Sequence, residues 1–216
     1  MSLTLESLTQ QLELVDQLLA GKSHMFEPQD LPGRYGRVIR ALDHLLQIVG
    51  SEAVLGGGWA VWRHGFHGRM TQDVDIVLPA NRVDEFLRVA AFSGFDILPQ
   101  PAGRWPKLMH KETDIKVDIL PEGERPGTQS NPAPTTMPHP AAMGAAGARL
   151  RYISLHALIE LKLAAGRPRD DGDVAELIRA NPNEVEAIRA HLASVHQTYI
   201  VAFDRLAQRA AEQRDE

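Results

Sequence analysis

The 216-residue chain has no cysteine, so disulfides and thiolate-held metals are excluded. No apolar run approaches the roughly 20 residues that span a bilayer. The N-terminal stretch carries Glu6, Glu13 and Asp16 in place of a basic region, so no secretory leader is expected and the expected location is the cytoplasm. An excess of positive charge is also missing. The net charge is −5, so no global field draws the chain onto nucleic acid, and only a local basic patch could serve an RNA substrate. Gly56-Gly57-Gly58 lacks the Gly-Lys-Ser/Thr that would complete a P-loop. Val61 stands where a dinucleotide fingerprint needs glycine or alanine. The length allows a sizeable core, either as one domain or as a domain with a helical appendage.

Two aspartates remain as the strongest signal. Asp73-Val74-Asp75-Ile76 reads as a strand, and side chains two apart on a strand share a face. Paired carboxylates on one face suit a hard divalent cation, which takes oxygen ligands. Downstream, Thr113 to Leu120 reads as another strand, with Ile115, Val117 and Ile119 toward the core and Asp118 on the polar side. Upstream, Ala53-Val54-Leu55 leads into the glycine turn, and Trp59 begins a helix. Such a turn is either a plain tight turn or a place where backbone N–H groups approach an anion.

Apolar periodicity supplies the remaining elements. Leu5, Leu8, Leu12, Val15 and Leu19 predict an amphipathic helix ending near Gly21. Val38, Leu42, Leu45, Leu46 and Val49 predict a second, ending at Gly50. Asn81 is placed as N-cap of a helix carrying Val83, Phe86, Leu87 and Ala90, closed by Gly94. A strand at Phe95–Leu98 and the one at 113–120 complete the expected sheet. Residues 121–148, rich in Pro, Gly and Ala, read as one long loop, either laid over the sheet edge or the site, or a solvated excursion.

In the C-terminal part, Ser154 caps a helix whose stripe is Leu155, Leu158, Ile159 and Leu163. Lys162 falls within that stripe at about 100° per residue. An inward lysine needs an anionic partner, either a core carboxylate or a bound phosphate, unless it snorkels to the surface. Asp170 is placed as the cap of the next helix, with Asp171 and Asp173 in its first turn. His64 and His67 have a His-x-x-His spacing without a further ligand set, so they read as structural, as do Trp59 and Trp62 as core.

The glycine turn, the Asp73/Asp75 pair and the later Asp118, in that order, resemble the nucleotidyltransferase superfamily that includes DNA polymerase β. The stretch from Tyr152 to Ile178 resembles the helical tail of small bacterial members, among them the AbiEii-type toxins. The resemblance implies an α/β (α+β) fold with a small mixed sheet, flanking helices and helical N- and C-terminal parts. Its expected divisions are N-terminal helices over 1–50, a nucleotidyltransferase core over 51–150 and a helical part over 151–216. It implies transfer of NMP from an NTP such as ATP to a hydroxyl of RNA, a protein or a small molecule, with Mg²⁺ or Mn²⁺ held by Asp73, Asp75 and Asp118. Gly57, Gly58, Arg69 and Thr71 would bind the nucleotide. Arg69 and Thr71 either contact phosphates or shape the approach to the strand. Lys162 matches a tail lysine of the toxin active site, and either Asp170 or Asp173 matches its aspartate. A cognate antitoxin or a homo-oligomer is the implied protein partner. The alternative is a catalytically silent nucleotide-binding or antitoxin-like interaction protein of the same fold.

Overall fold

A computed structural model describes residues 8–9, 11–13, 27–144 and 149–212. The first predicted helix therefore lies largely outside the described residues. Helix α1 (Gly33–Val49) buries Val38, Leu42, Leu45, Leu46 and Val49, the three- and four-residue spacing of its sequence. It stops at Gly50, whose left-handed φ of 62° lets its N–H reach the carbonyls of Gln47 and Leu46.

Strands β1 (Ala53–Leu55) and β2 (Asp73–Leu78) are joined through α2 (Gly57–Arg63). After β2 come α3 (Val83–Ala90), β3 (Phe95–Leu98), β4 (Lys107–His110) and β5 (Ile115–Pro121). A short helix α4 (Pro140–Met143) and strand β6 (Leu150–Tyr152) precede four helices, α5 (Leu155–Ala165), α6 (Pro168–Ala180), α7 (Val185–Val195) and α8 (Gln197–Glu212). The sheet is mixed, in the order β3-β4-β5-β2-β1-β6. Strands β2 and β5 run parallel at its centre, as do β1 and β6, while the other neighbours are antiparallel. One contiguous hydrophobic cluster takes residues from α1, the sheet and the C-terminal helices, with Leu42, Ile76, Val117, Leu158 and Phe203 fully buried or nearly so. No described helix is long and apolar enough to cross a membrane.

The mixed α/β architecture matches the expectation, and four local features differ. Strand β4 was absent from the sequence reading because Lys-Leu-Met-His is only four residues long and has no β-branched member. Strand β6 is shorter still and is defined by pairing with β1. Asn81 does not cap α3. It lies inside a one-turn 3₁₀ segment, Ala80–Arg82, and the cap position falls to Arg82 without a side-chain bond. The strand expected from Thr113 begins at Ile115, since Thr113 and Asp114 form the β4–β5 turn, Asp114 in the left-handed region at φ 55°.

The described part of the Pro- and Gly-rich stretch, 121–144, is tied to the rest of the fold. Arg125 Nη1 donates to the carbonyls of Ala133 and Pro134 at 2.9 Å each. Thr135 and Tyr199 share a hydroxyl hydrogen bond at 2.7 Å that ties the stretch to α8. Met137 and Met143 are buried, and α4 packs on β1.

Candidate active site

Strand β2 buries Val74 and Ile76 on one side and leaves Asp73 and Asp75 half-buried on the other. In the parallel β2–β5 ladder Asp118 is the direct partner of Asp75. Neighbouring strands run about 4.8 Å apart, so Asp118 lies beside Asp75 on the face that also carries Asp73. Burial first, then the charges of Asp73 and Asp118, push the Asp75 carboxyl up to about 7, while Lys162 and Arg69 pull it the other way. Among the described residues, no hydrogen-bond donor reaches the carboxylate of Asp73 or Asp75.

Asp118 is held differently. Its Oδ2 accepts from the Lys107 ammonium at 2.6 Å, while its Oδ1 is buried without a partner. The donor types suit a hard divalent cation. Crowded negative charge at Asp75 and an orphaned oxygen on Asp118 are what such a cation would relieve. Among the described residues no three acidic or imidazole side chains already converge as a ligand set, and Asp118 is paired with Lys107.

The glycine turn owes its composition to these side chains. Gly57 has φ 58°, and a methyl group there would overlap the Asp75 carboxylate. A methyl on Gly58 would overlap the Thr71 hydroxyl. Both glycines thus let β2 and the residues before it press against the start of α2. Gly57→Ala should cost about 2 kcal/mol from left-handed strain and, beyond that, displace the Asp75 carboxylate. Gly50→Ala is the comparison: its φ is 62° but open space surrounds it. Urea denaturation should give the Gly57 variant the larger loss, and equal losses would separate the turn from Asp75.

Thr71 is anchored by its backbone, with its carbonyl accepting from Tyr35 Oη at 3.1 Å and Gln11 Nε2 at 2.6 Å. Its hydroxyl is buried and unpartnered, as is Nε of the mostly buried Arg69. Trp62 Nε1 donates to the Arg69 carbonyl at 2.6 Å, which fixes this segment to α2. Arg69 therefore reaches the turn with one free N–H while its Nη1 bonds Asp173 Oδ2.

Lys162 points inward, as its stripe position requires, and is 5% exposed. Its partners are Asp170 Oδ1 at 3.0 Å and Asp173 Oδ2 at 2.5 Å. The expectation that it pairs with Asp73, Asp75 and Asp118 is corrected on this point: its charge acts on Asp75, but its contacts go to Asp170 and Asp173 of α6. Asp170 does not cap α6. Arg167 holds the cap position, Pro168 occupies the first turn, and the Asp170 carboxylate accepts from Arg167 Nε at 2.6 Å. Burial alone would raise the Asp170 carboxyl, but the Arg167 bonds and the Lys162 charge outweigh it and hold it below the usual range. A chain Arg167–Asp170–Lys162–Asp173–Arg69 thus ties α5 and α6 to the segment before β2. Sequence reasoning missed Arg167, although its place three residues before Asp170 marks an i,i+3 pair. Lys107 was missed because its strand was.

No protein-family model and no curated protein matches the chain. Solved structures do. The resemblance is to nucleotidyltransferases. The antibiotic-resistance factor ANT(2″)-Ia, in a crystal structure with adenylyl-2″-tobramycin, is 18% identical over 80% of this chain and 97% of its own, with a TM-score of 0.42. Its solution structure is 19% identical over 83% and 94%, with a TM-score of 0.42. A Thermotoga maritima protein assigned as a nucleotidyltransferase is 19% identical over 69% and 93%, at 0.43. These likenesses are loose, and the chemistry rests on the geometry above.

The two histidines stand apart from the acids. His64 Nε2 bonds the Ile153 carbonyl at 2.8 Å, and burial lowers its pKa. The His67 ring packs edge-on to Trp62. Trp59 and Trp62 are both core.

Proposed function

We propose that the chain is a nucleotidyltransferase that moves NMP from an NTP to a hydroxyl acceptor and releases pyrophosphate. The observation that carries this reading is the register of Asp75 against Asp118 beside Asp73, with the Asp75 side chain packed against the glycine turn at Gly57. A divalent cation, Mg²⁺ or Mn²⁺, held by Asp73, Asp75 and Asp118 would neutralise the triphosphate and polarise the α-phosphorus. Around it the chain supplies position and charge. Gly57 and Gly58 offer backbone N–H groups to the phosphates, joined by the free Arg69 Nε and the Thr71 hydroxyl. Lys162, held by Asp170 and Asp173, adds a positive charge that acts on Asp75. Asp118 accepts the proton of the attacking hydroxyl, whose oxygen bonds the α-phosphorus as the bond to the bridging oxygen of pyrophosphate breaks. Most of the rate comes from positioning and charge neutralisation, so each acid is expected to be indispensable.

A second reading, a silent nucleotide-binding or antitoxin-like protein, draws on the Lys107 contact, which occupies one oxygen of Asp118. Thermal denaturation with Mg²⁺ and each NTP, followed by incubation with labelled NTPs and cell extract, separates the two. A nucleotide at 100 times its dissociation constant adds about 2.7 kcal/mol of stability, and Asp73→Asn should abolish that gain. Stabilisation without label transfer selects the silent protein. Absence of stabilisation by any NTP removes both.

A further inference from the structure

The described part of the N-terminal stretch, residues 8–9 and 11–13, is helical and reverses the expected burial. Leu12, a member of the apolar stripe, is 63% exposed, whereas its neighbour Gln11 is 2% exposed. Apolar burial by itself would turn the leucine inward and leave the amide in water. What holds Gln11 inward lies 60 residues further along the chain. Its Nε2 donates to the Thr71 carbonyl at 2.6 Å, and its Oε1 accepts from the Thr71 N–H at 3.4 Å. The side-chain amide thus meets both backbone groups of one residue, as the partner in an antiparallel ladder does. Thr71 precedes β2 and has no strand beside it to do so. Tyr35 Oη also donates to the Thr71 carbonyl, at 3.1 Å, but among the described residues the N–H has Gln11 alone. Trp62 Nε1 fixes the same segment at the Arg69 carbonyl. Held at both ends, the segment presses on the glycine turn, where a methyl on Gly58 would overlap the Thr71 hydroxyl and lie 3.5 Å from Arg69 Nε.

Resting on the nucleotidyl-transfer reading, we infer that Gln11 is a positioning residue of the nucleotide site. It fixes the Thr71 backbone, and through it sets the Thr71 hydroxyl and Arg69 against the turn that receives the phosphates. The amide itself touches no substrate. A local rule is broken at this point, with a buried amide beside an exposed leucine, and such conflicts belong to functional places in a fold. Without Gln11 the buried Thr71 N–H has no acceptor, and leaving such a donor unpaired is costly enough for the segment to shift. A shift there spoils a site that is ordered before the nucleotide arrives, so the loss falls on nucleotide binding. The N-terminal stretch is then part of the nucleotide site rather than an appendage to it.

The test is titration calorimetry of the full chain with Mg²⁺ and ATP, GTP, CTP or UTP, beside melting curves without ligand. Gln11→Met keeps the length of the side chain and removes both of its hydrogen-bonding groups. It should weaken the NTP that the wild type binds best about tenfold. Gln11→Glu, which sets a carboxylate oxygen against the Thr71 carbonyl, should weaken it at least as much and gives a second, independent variant. Thr71→Val removes the hydroxyl, keeps the backbone bonds and should also weaken binding about tenfold. Combined with Gln11→Met it should still lose only about tenfold, not a hundredfold, because the two act through one contact. Ile188→Val, buried in α7, lowers the melting temperature alone and shows what plain destabilisation does to affinity. Wild-type affinity in both Gln11 variants, or a double variant weakened a hundredfold, overturns the inference while nucleotide binding itself stands. A wild type that binds none of the four NTPs overturns the nucleotidyl-transfer reading and the role of Gln11 with it.

Discussion

Lys162→Met is expected to lower stability by about 3 kcal/mol, the low end of what breaking a buried ion pair costs. For a chain of this length that is a fall in melting temperature of roughly 10 °C. Lys162 lies between two carboxylates that are almost wholly buried, at 3.0 and 2.5 Å. Its removal leaves two like charges close together on α6, each with one arginine, Arg167 or Arg69, still attached. Those arginines keep the loss from being larger. Lys162→Arg should not restore full stability, because a planar five-donor fork does not fit where a point charge bridges two carboxylates. The acid limb of the stability curve should respond as well. Asp170 has a pKa held below its unfolded value, so its contribution is present above the unfolded pKa and is lost as pH falls through the folded one. In Lys162→Met the Asp170 pKa moves back toward its unfolded value, so this acid-side loss should be smaller and should be complete at a higher pH. A variant with unchanged melting that nevertheless loses nucleotide stabilisation would show that Lys162 serves only the ligand.

Asp75→Asn should act in the opposite direction. The Asp75 carboxyl is raised from 3.8 to about 7, chiefly by burial and then by Asp73 and Asp118. The folded chain therefore binds a proton that the unfolded chain gives up over that range, and stability falls as pH rises from about 4 to about 7. At roughly 1.4 kcal/mol per unit, the charged Asp75 destabilises the metal-free fold by on the order of 2 to 4 kcal/mol at pH 8. Asp75→Asn should recover much of this in chelator at pH 8, and the gain should shrink toward zero near pH 4. The same variant should lose stabilisation by NTP and Mg²⁺ and all transfer of label. Melting curves of both proteins at several pH values check the sign. A destabilised Asp75→Asn at pH 8 would mean that the carboxylate is already satisfied without a ligand. The acids would then be structural rather than strained for function.

Much of the site could be read directly from residue order. Asp73 and Asp75 share a face because strands have a period of two, and Val74 and Ile76 demand burial on the other side. Lys162 points inward because Leu158, Ile159 and the lysine occupy one stripe of α5. Gly50 ends its helix in the left-handed region that glycine adopts without strain. Each of these follows from local geometry, in which neighbours along the chain set direction and burial.

What neighbours along the chain cannot supply is the identity of partners brought from elsewhere. The inward direction of Lys162 was legible, but its choice of Asp170 and Asp173 over the sheet acids depends on how α6 packs against α5. Gly57 and Gly58 were legible as a turn, while the reason for glycine there is the approach of Asp75 and Thr71. Lys107 meets Asp118 only through an antiparallel register between β4 and β5, and β4 is too short to announce itself. Local periodicity determined which side chains face inward and which stand on the polar face of the sheet. Tertiary packing decided which charges meet, because an ion pair depends on distance in space and these partners come from separate elements.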